Sequence, residues 1–251
     1  MPKPRPLPPG SPGLTAAAFI ARLNALQSDD ELRKIRRYFK SGAGEYGEGD
    51  LFMGVRMGHL FALADEFVDL EPAGIEVLLE SPIHEIRAGA LSIMGKQAAQ
   101  KATPEERRGE LFALYLRRHD RINNWDLVDL GAPNVVGLWL LDRPRDILYR
   151  LARSEIVWER RTAAYALFTL MRKRGETADA FAIAELLSGD REDLMHKAVG
   201  AVLRMCGGHD RPGLVAFLER HAATMPRVML RTALEHFPPG ERTRYLAMGK
   251  A

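Results

Sequence analysis

Ser154-Glu155-Ile156-Val157-Trp158-Glu159-Arg160-Arg161-Thr162-Ala163-Ala164 begins polar, passes through a run of charge and ends in small apolar residues. A polar start followed by residues that propagate a helix reads as a helix N-terminus. Ser81-Pro82-Ile83-His84-Glu85-Ile86-Arg87-Ala88-Gly89-Ala90-Leu91 shares the layout, and so does Asp190-Arg191-Glu192-Asp193-Leu194-Met195-His196-Lys197-Ala198-Val199-Gly200-Ala201. Three helices that start alike, spread along one chain, point to an array built from one kind of unit.

The rest of the sequence fits such an array. Leu14, Ala17, Ala18, Ala21, Leu23 and Leu26 have helical spacing, and Asp29-Asp30 opens a second helix through Leu32, Ile35 and Tyr38. A glycine-rich break over 41–50 follows, and a further helix is expected from near Gly54. Beyond it, helices are expected over 72–80, 82–100, 104–119, 123–141, 144–152, 155–174, 178–188, 191–206, 210–222, 226–237 and 239–247. Pro72, Pro82, Pro104, Pro144, Pro212, Pro226 and Pro239 lie at or near their starts, where a missing N–H has no helical partner to lose. No stretch joins period-two alternation to β-branched residues convincingly enough to place a strand. The spacing of the three matching starts is compatible with a helical-pair period of about 40 residues, as in HEAT-type repeats. Stacked pairs of this kind curve into a superhelix whose concave face binds partners. The expectation is an all-α chain of HEAT-like repeats forming a right-handed superhelical solenoid. Residues 14–251 would form one domain, and the proline-rich residues 1–13 a disordered tail.

Composition sets limits on function. Hydrophobic residues make up 46% of the 251 and charged residues 27%, which is ordinary for a globular protein. The net charge is +3 and the pI about 9.1, a basic excess dominated by arginine, whose planar fork suits phosphate. The single Cys206 excludes an internal disulfide and a cysteine-rich zinc site, and points to a reducing compartment. No apolar run approaches the roughly 20 residues that span a bilayer, and no signal-peptide segment opens the chain. A cytoplasmic protein is therefore expected. The glycine-rich loop lacks the Lys-Ser/Thr ending and the preceding strand of a phosphate-cradling loop, so it reads as a surface loop. No metal-ligand spacing, nucleophile–base pair or cofactor motif is present, and neither metal nor cofactor is expected.

Candidate chemistry concentrates in Arg121-Ile122-Asn123-Asn124-Trp125-Asp126-Leu127-Val128-Asp129. Asn123 or Asn124 can cap a helix, and with Asn123 as the cap Asp126 falls in a capping-box position. Trp125 and Asp129, four apart, share a face. An indole suits a core and a carboxylate suits solvent, so the pairing marks a site candidate, although a core tryptophan beside a surface aspartate fits the spacing equally well. Arg160 and Arg161 could be a solvated face or partners of Glu155 and Glu159. Lys197, Ala201 and Arg204, spaced i, i+4 and i+7, form a basic stripe around a small residue. His84 and His196 read as capped, solvated or core histidines.

Asn124-Trp125-Asp126-Leu127-Val128-Asp129, Trp158-Glu159-Arg160-Arg161-Thr162-Ala163 and His196-Lys197-Ala198-Val199-Gly200, in this order, resemble the DNA alkylation repair family of AlkD type. Similar too are Tyr38-Phe39-Lys40, Gly44-Glu45-Tyr46-Gly47-Glu48-Gly49 and Leu230-Arg231-Thr232-Ala233-Leu234-Glu235. The resemblance implies a HEAT-like superhelix that hydrolyses the glycosidic bond of purines alkylated at ring nitrogen 3 or 7. It implies double-stranded alkylated DNA as partner, a monomer, and association with the nucleoid when DNA is bound. Asp129 matches the family's catalytic aspartate, Trp125 the aromatic that contacts the lesion's deoxyribose, and Arg161 the arginine that grips the DNA backbone. Arg160, Lys197 and Arg204 are expected beside it as DNA-binding residues. One position departs: where the family carries a second cleft tryptophan, this chain has Ala201. Three readings remain open: a glycosylase for cationic alkylpurines, a non-catalytic or weakened binder of damaged DNA, and a helical scaffold for protein partners.

Overall fold

The computed structural model describes residues 13–42 and 44–248. The proline-rich tail predicted to be disordered falls almost wholly outside them. Among the described residues the chain is helical, with fourteen α-helices. An isolated parallel bridge between Leu51 and Ile83 is the one β-type pairing among them. The chain divides into two compact units, 1–135 and 136–251.

The first unit holds α1 (Ala16–Asn24), α2 (Asp29–Tyr38), α3 (Met57–Glu66), α4 (Pro72–Leu79), α5 (His84–Ala99), α6 (Glu105–Arg117) and α7 (Trp125–Gly131). The second holds α8 (Asp146–Ala152), α9 (Val157–Arg174), α10 (Ala178–Leu186), α11 (Asp193–His209), α12 (Arg211–His221), α13 (Arg227–Ala233) and α14 (Pro239–Ala247). The three sequence stretches with a common layout are the starts of α5, α9 and α11.

These three are the inner helices of their units. In the first, α5 packs against α3, α4, α6 and α7, and every residue from His84 to Gly95 is buried. A helix enclosed on all sides cannot be amphipathic, which is why its sequence mixes Ala, Gly, Ile and Met around its circumference. In the second, α9 packs against α8, α10 and α11, and α11 also against α12 and α13. Small residues make the close approaches possible. A Cβ on Gly200 of α11 would stand 2.7 Å from Thr232 Cβ and 2.8 Å from the Met229 carbonyl oxygen.

Helix starts follow local chemistry. Thr15 Oγ1 accepts from the Ala18 N–H at 3.1 Å and Ser28 Oγ from Glu31 at 3.5 Å, each satisfying a donor that has no helical partner. Pro72 and Pro239 begin α4 and α14. The expected helix over 123–141 is the one that differs in kind. It starts at Trp125, and residues Ala132–Gly137 form π-helical turns. Pro133 explains the change. It has no N–H to give the carbonyl of Asp129, four residues earlier, and its ring would crowd that carbonyl in a regular α-helix. A widened turn relieves the conflict.

Gly200→Ala is expected to destabilise the protein by about 1–3 kcal/mol in urea unfolding, because overpacking against α13 outweighs the ~1 kcal/mol of helix propensity gained. An unchanged or raised stability would show that α11 and α13 are not closely packed at this position.

Candidate functional site

The cleft that matters is built in the first unit, from α2, α3 and the start of α7. Asn124 is the cap of α7, its Oδ1 accepting the Trp125 N–H at 2.8 Å. The helix therefore begins one residue later than an Asn123 cap would start it. Asp126 does not complete a capping box: its Oδ1 accepts the Leu127 N–H at 2.9 Å, and its Oδ2 is engaged by His84. Trp125 and Asp129, one turn apart and both half-buried, line a cleft of about 590 Å³ with Ile35 and Tyr38 of α2, Phe39 just after α2 and Phe61 of α3. Asp126 also reaches its wall.

The second helix shows why the cleft is open. None of its residues is buried, although Ile35 and Tyr38 are apolar or aromatic. Tyr38 is 66% exposed and stands edge-on to Trp125 at 5.9 Å between ring centroids. Phe39 is stacked on Trp125 at 5.7 Å and on Phe52 at 5.2 Å. The indole thus sits in a row of rings that fixes its plane, with Tyr38 at the solvent end.

Beneath this row lies a buried polar cluster. His84 Nε2–H donates to Asp126 Oδ2 at 2.8 Å, and its Nδ1 lies 3.5 Å from Asp50 Oδ2, long for a hydrogen bond but close for an ion pair. Arg87 donates to Asp50 Oδ1 at 2.6 Å, to Asn123 Oδ1 at 3.1 Å and to the Ser81 carbonyl at 2.9 Å. Asn124 Nδ2 donates to Asp50 Oδ2 at 2.8 Å, and Asn123 Nδ2 to Asp50 Oδ1 at 3.3 Å. Neighbouring Glu85 accepts the backbone N–H groups of Met53, Gly54 and Val55, tying the loop before α3 to the first turn of α5. Gly54 has φ +83° and a Cβ there would meet the Ser28 carbonyl at 2.5 Å, so this loop admits no side chain at that point.

The cluster sets the protonation of its members. Burial alone would push the His84 imidazole down, but the charge and hydrogen bond of Asp126, and then Asp50, hold it up at about 9. Burial would raise Asp50, yet hydrogen bonds from His84 and Asn124 and the charges of His84 and Arg87 hold it at about 2. At neutral pH His84 is an imidazolium.

The second unit places the other predicted residues on α9 and α11. Arg161 is buried and donates to the Leu194 carbonyl at 3.0 Å and to Tyr165 Oη at 2.7 Å, its guanidinium lying 4.3 Å from the Tyr165 ring centre. Arg160 pairs with Asp190, Nε to Oδ2 at 2.6 Å, and donates to the carbonyls of Ser154 and Glu155 at 3.0 Å. Its acidic partner is thus Asp190 and not the carboxylate of Glu155 or Glu159. Arg204 pairs with Glu235. Lys197 is exposed, Ala201 is half-exposed, and Lys197 has no ion pair among the described residues. Buried Gly200 faces α13. The sequence motif therefore joins a packing face to an open one.

Sequence reasoning missed the cluster around His84. In the sequence Asp50 closes a glycine-rich stretch with the character of a surface loop, and His84 has no partner at helical or metal-ligand spacing. The signal available was three ionisable residues, His84, Glu85 and Arg87, within a helix otherwise composed of core residues, together with two asparagines before Trp125.

The pH dependence of stability follows from His84. Its pKa in the folded chain is above the ordinary 6.5, so its contribution is fully present below that value and is lost as pH rises through about 9. Between pH 7 and 10 stability should fall, and the part owed to His84 should be on the order of 3 kcal/mol. The buried Cys206 thiol, pushed up to about 12, loses stability in the same direction, so the comparison needed is with His84→Gln. That variant should be less stable at pH 7 and fall less steeply to pH 10 in urea unfolding. Parallel wild-type and variant curves would contradict the assignment.

A search of curated proteins finds no match. A family model described as DNA alkylation repair enzyme matches residues 19–237, which includes the cleft, the cluster below it and both motifs on α9 and α11. The chain belongs to the DNA alkylation repair enzyme family.

Proposed function

We propose that this member is a DNA glycosylase for cationic alkylated purines of the 3-methyladenine and 7-methylguanine type. The observation that carries the reading is the cleft in which Trp125 and Asp129 stand together, an aromatic face beside a carboxylate. Alkylation at ring nitrogen 3 or 7 leaves the purine positively charged. When the bond from the sugar's anomeric carbon to the purine breaks, its electron pair neutralises the departing base, so no general acid is needed. Positive charge develops on the sugar instead. A fixed carboxylate opposes that charge and orients a water toward the anomeric carbon, taking up the proton the water loses. One aspartate then does what paired carboxylates do for neutral leaving groups. The indole of Trp125, held in plane by Phe39, offers its face to the polarised sugar C–H groups and keeps bulk water away.

In this reading the helical pairs form a HEAT-like superhelix whose concave face receives double-stranded DNA, bound by a monomer. Lys197 is best suited to a phosphate, because it is exposed and has no ion pair among the described residues. Arg160 and Arg204 would reach phosphate only by sharing or leaving Asp190 and Glu235. For Arg161 the assignment rests on the family pattern, and its bonds to Leu194 and Tyr165 would hold the guanidinium in one orientation. Such contacts position DNA without reading its sequence.

Ala201 motivates a second reading, a weakened enzyme or a binder of damaged DNA. Its small, half-exposed side chain offers no aromatic wall where the family carries tryptophan.

Wild-type protein should release 7-methylguanine or 3-methyladenine from methylated DNA. Asp129→Asn should lower that release at least 100-fold with the circular dichroism spectrum unchanged. Ala201→Trp should hold or raise the rate. Salt-dependent DNA binding without base release by the wild type would select the binding reading, and release restored by Ala201→Trp would attribute the loss to the missing ring.

A further inference from the structure

The polar cluster below the cleft is a costly way to join helices. Apolar residues of the same volume commonly hold a core as well as a buried ion pair does. Its contacts are also concentrated. Asp50 holds Asn123 and Asn124, Arg87 holds Asn123, and His84 holds Asp126. The residues immediately before and after Trp125 are thus fixed by directed bonds from α5 and from the loop ahead of α3. Trp125 itself is tied by its backbone to Asn124, and one helical turn carries the constraint on to Asp129.

We propose that His84 is a positioning residue for the cleft: clamped between Asp50 and Asp126, its imidazole holds the first turn of α7 so that Trp125 and Asp129 keep their place against α2. The proposal rests on the roles assigned to Trp125 and Asp129 above. The charged groups that face His84 are Asp50 from the loop and Asp126 from α7; on α5 itself Glu85 turns to the backbone of Met53, Gly54 and Val55 and Arg87 to Asp50. The rings of Phe39 and Phe52, 4.9 and 5.1 Å away, cover it. With both nitrogens protonated the ring offers a donor to each carboxylate. Once neutral it keeps a single N–H. If that stays on Asp126, a lone pair on Nδ1 faces Asp50 Oδ2 at 3.5 Å, and the hold on the loop and its two asparagines loosens. A cleft displaced by even 1 Å can lose about 100-fold in rate.

The test uses the full chain with nitrogen-15 in its tryptophan indoles and histidine rings, followed by NMR from pH 6 to 10. The Trp125 indole signal should move with the same midpoint, near 9, as the His84 ring, while those of Trp139 and Trp158 do not share it. In His84→Gln the amide can donate to Asp126 but carries no charge and does not bridge to Asp50. The Trp125 midpoint should then vanish, and single-turnover release of 7-methylguanine should fall 10- to 100-fold at pH 7 with DNA affinity within about twofold. Asp126→Asn should behave alike. A Trp125 signal indifferent to pH across this range, or wild-type release by a folded His84→Gln, would overturn the proposal. The spectral arm needs no catalysis, so a wild type that frees no base overturns the glycosylase reading alone.

Discussion

Two carboxylates, Asp50 and Asp126, and two cations, His84 and Arg87, form one enclosed cluster in the first unit, and none of them could be there without the others. Asp50 and Arg87 have side chains 2% and 4% exposed, and His84 only 1%. Removing one member of such a set strands the charge of its partners, which costs about 3–5 kcal/mol. The cluster therefore ties three separated segments together: the loop ending at Asp50, the start of α5, and the start of α7. The cleft is a consequence. Trp125 and Asp129, which line it, sit on the helix whose first turn the cluster grips.

The helices were legible in the sequence because their signals are local. Small residues after a charged start mark α5, α9 and α11 to within a few residues, and proline in the first turn marks α4 and α14. Trp125 and Asp129 were legible for the same reason, since four-residue spacing on one helix needs no tertiary knowledge. What escaped was everything decided by distance in sequence. Asp50 and Asp126 lie far apart in the chain and meet only at His84. Asp126 looked like half of a capping box because the pattern of residues allowed it, but a buried imidazolium offers a carboxylate more than an exposed N–H does. The π-helical turns had a visible cause in Pro133, yet a single proline in a helical pattern is equally compatible with a break.

The basic residues teach a different lesson. Arginines on α9 look like a solvated or phosphate-binding face in sequence, and spacing cannot separate the two. In the folded chain Arg160 is held by Asp190 and two carbonyls, and Arg161 by Leu194 and Tyr165. Such residues shape the surface before any ligand arrives. Lys197, one turn before Ala201 on α11, is exposed and has no ion pair among the described residues.

The central claim is that the damaged nucleotide is received by the cleft of the first unit, against Trp125. Tryptophan indole NMR signals recorded while the protein is titrated with a short duplex bearing one 7-methylguanine, against the same duplex unmodified, address this directly. The signals of the three indoles, Trp125, Trp139 and Trp158, are assigned by single Trp→Phe substitutions. A lesion-dependent shift of Trp125, absent with the unmodified duplex, is the predicted result. Lesion-dependent shifts confined to Trp139 and Trp158, with Trp125 unmoved, would contradict it.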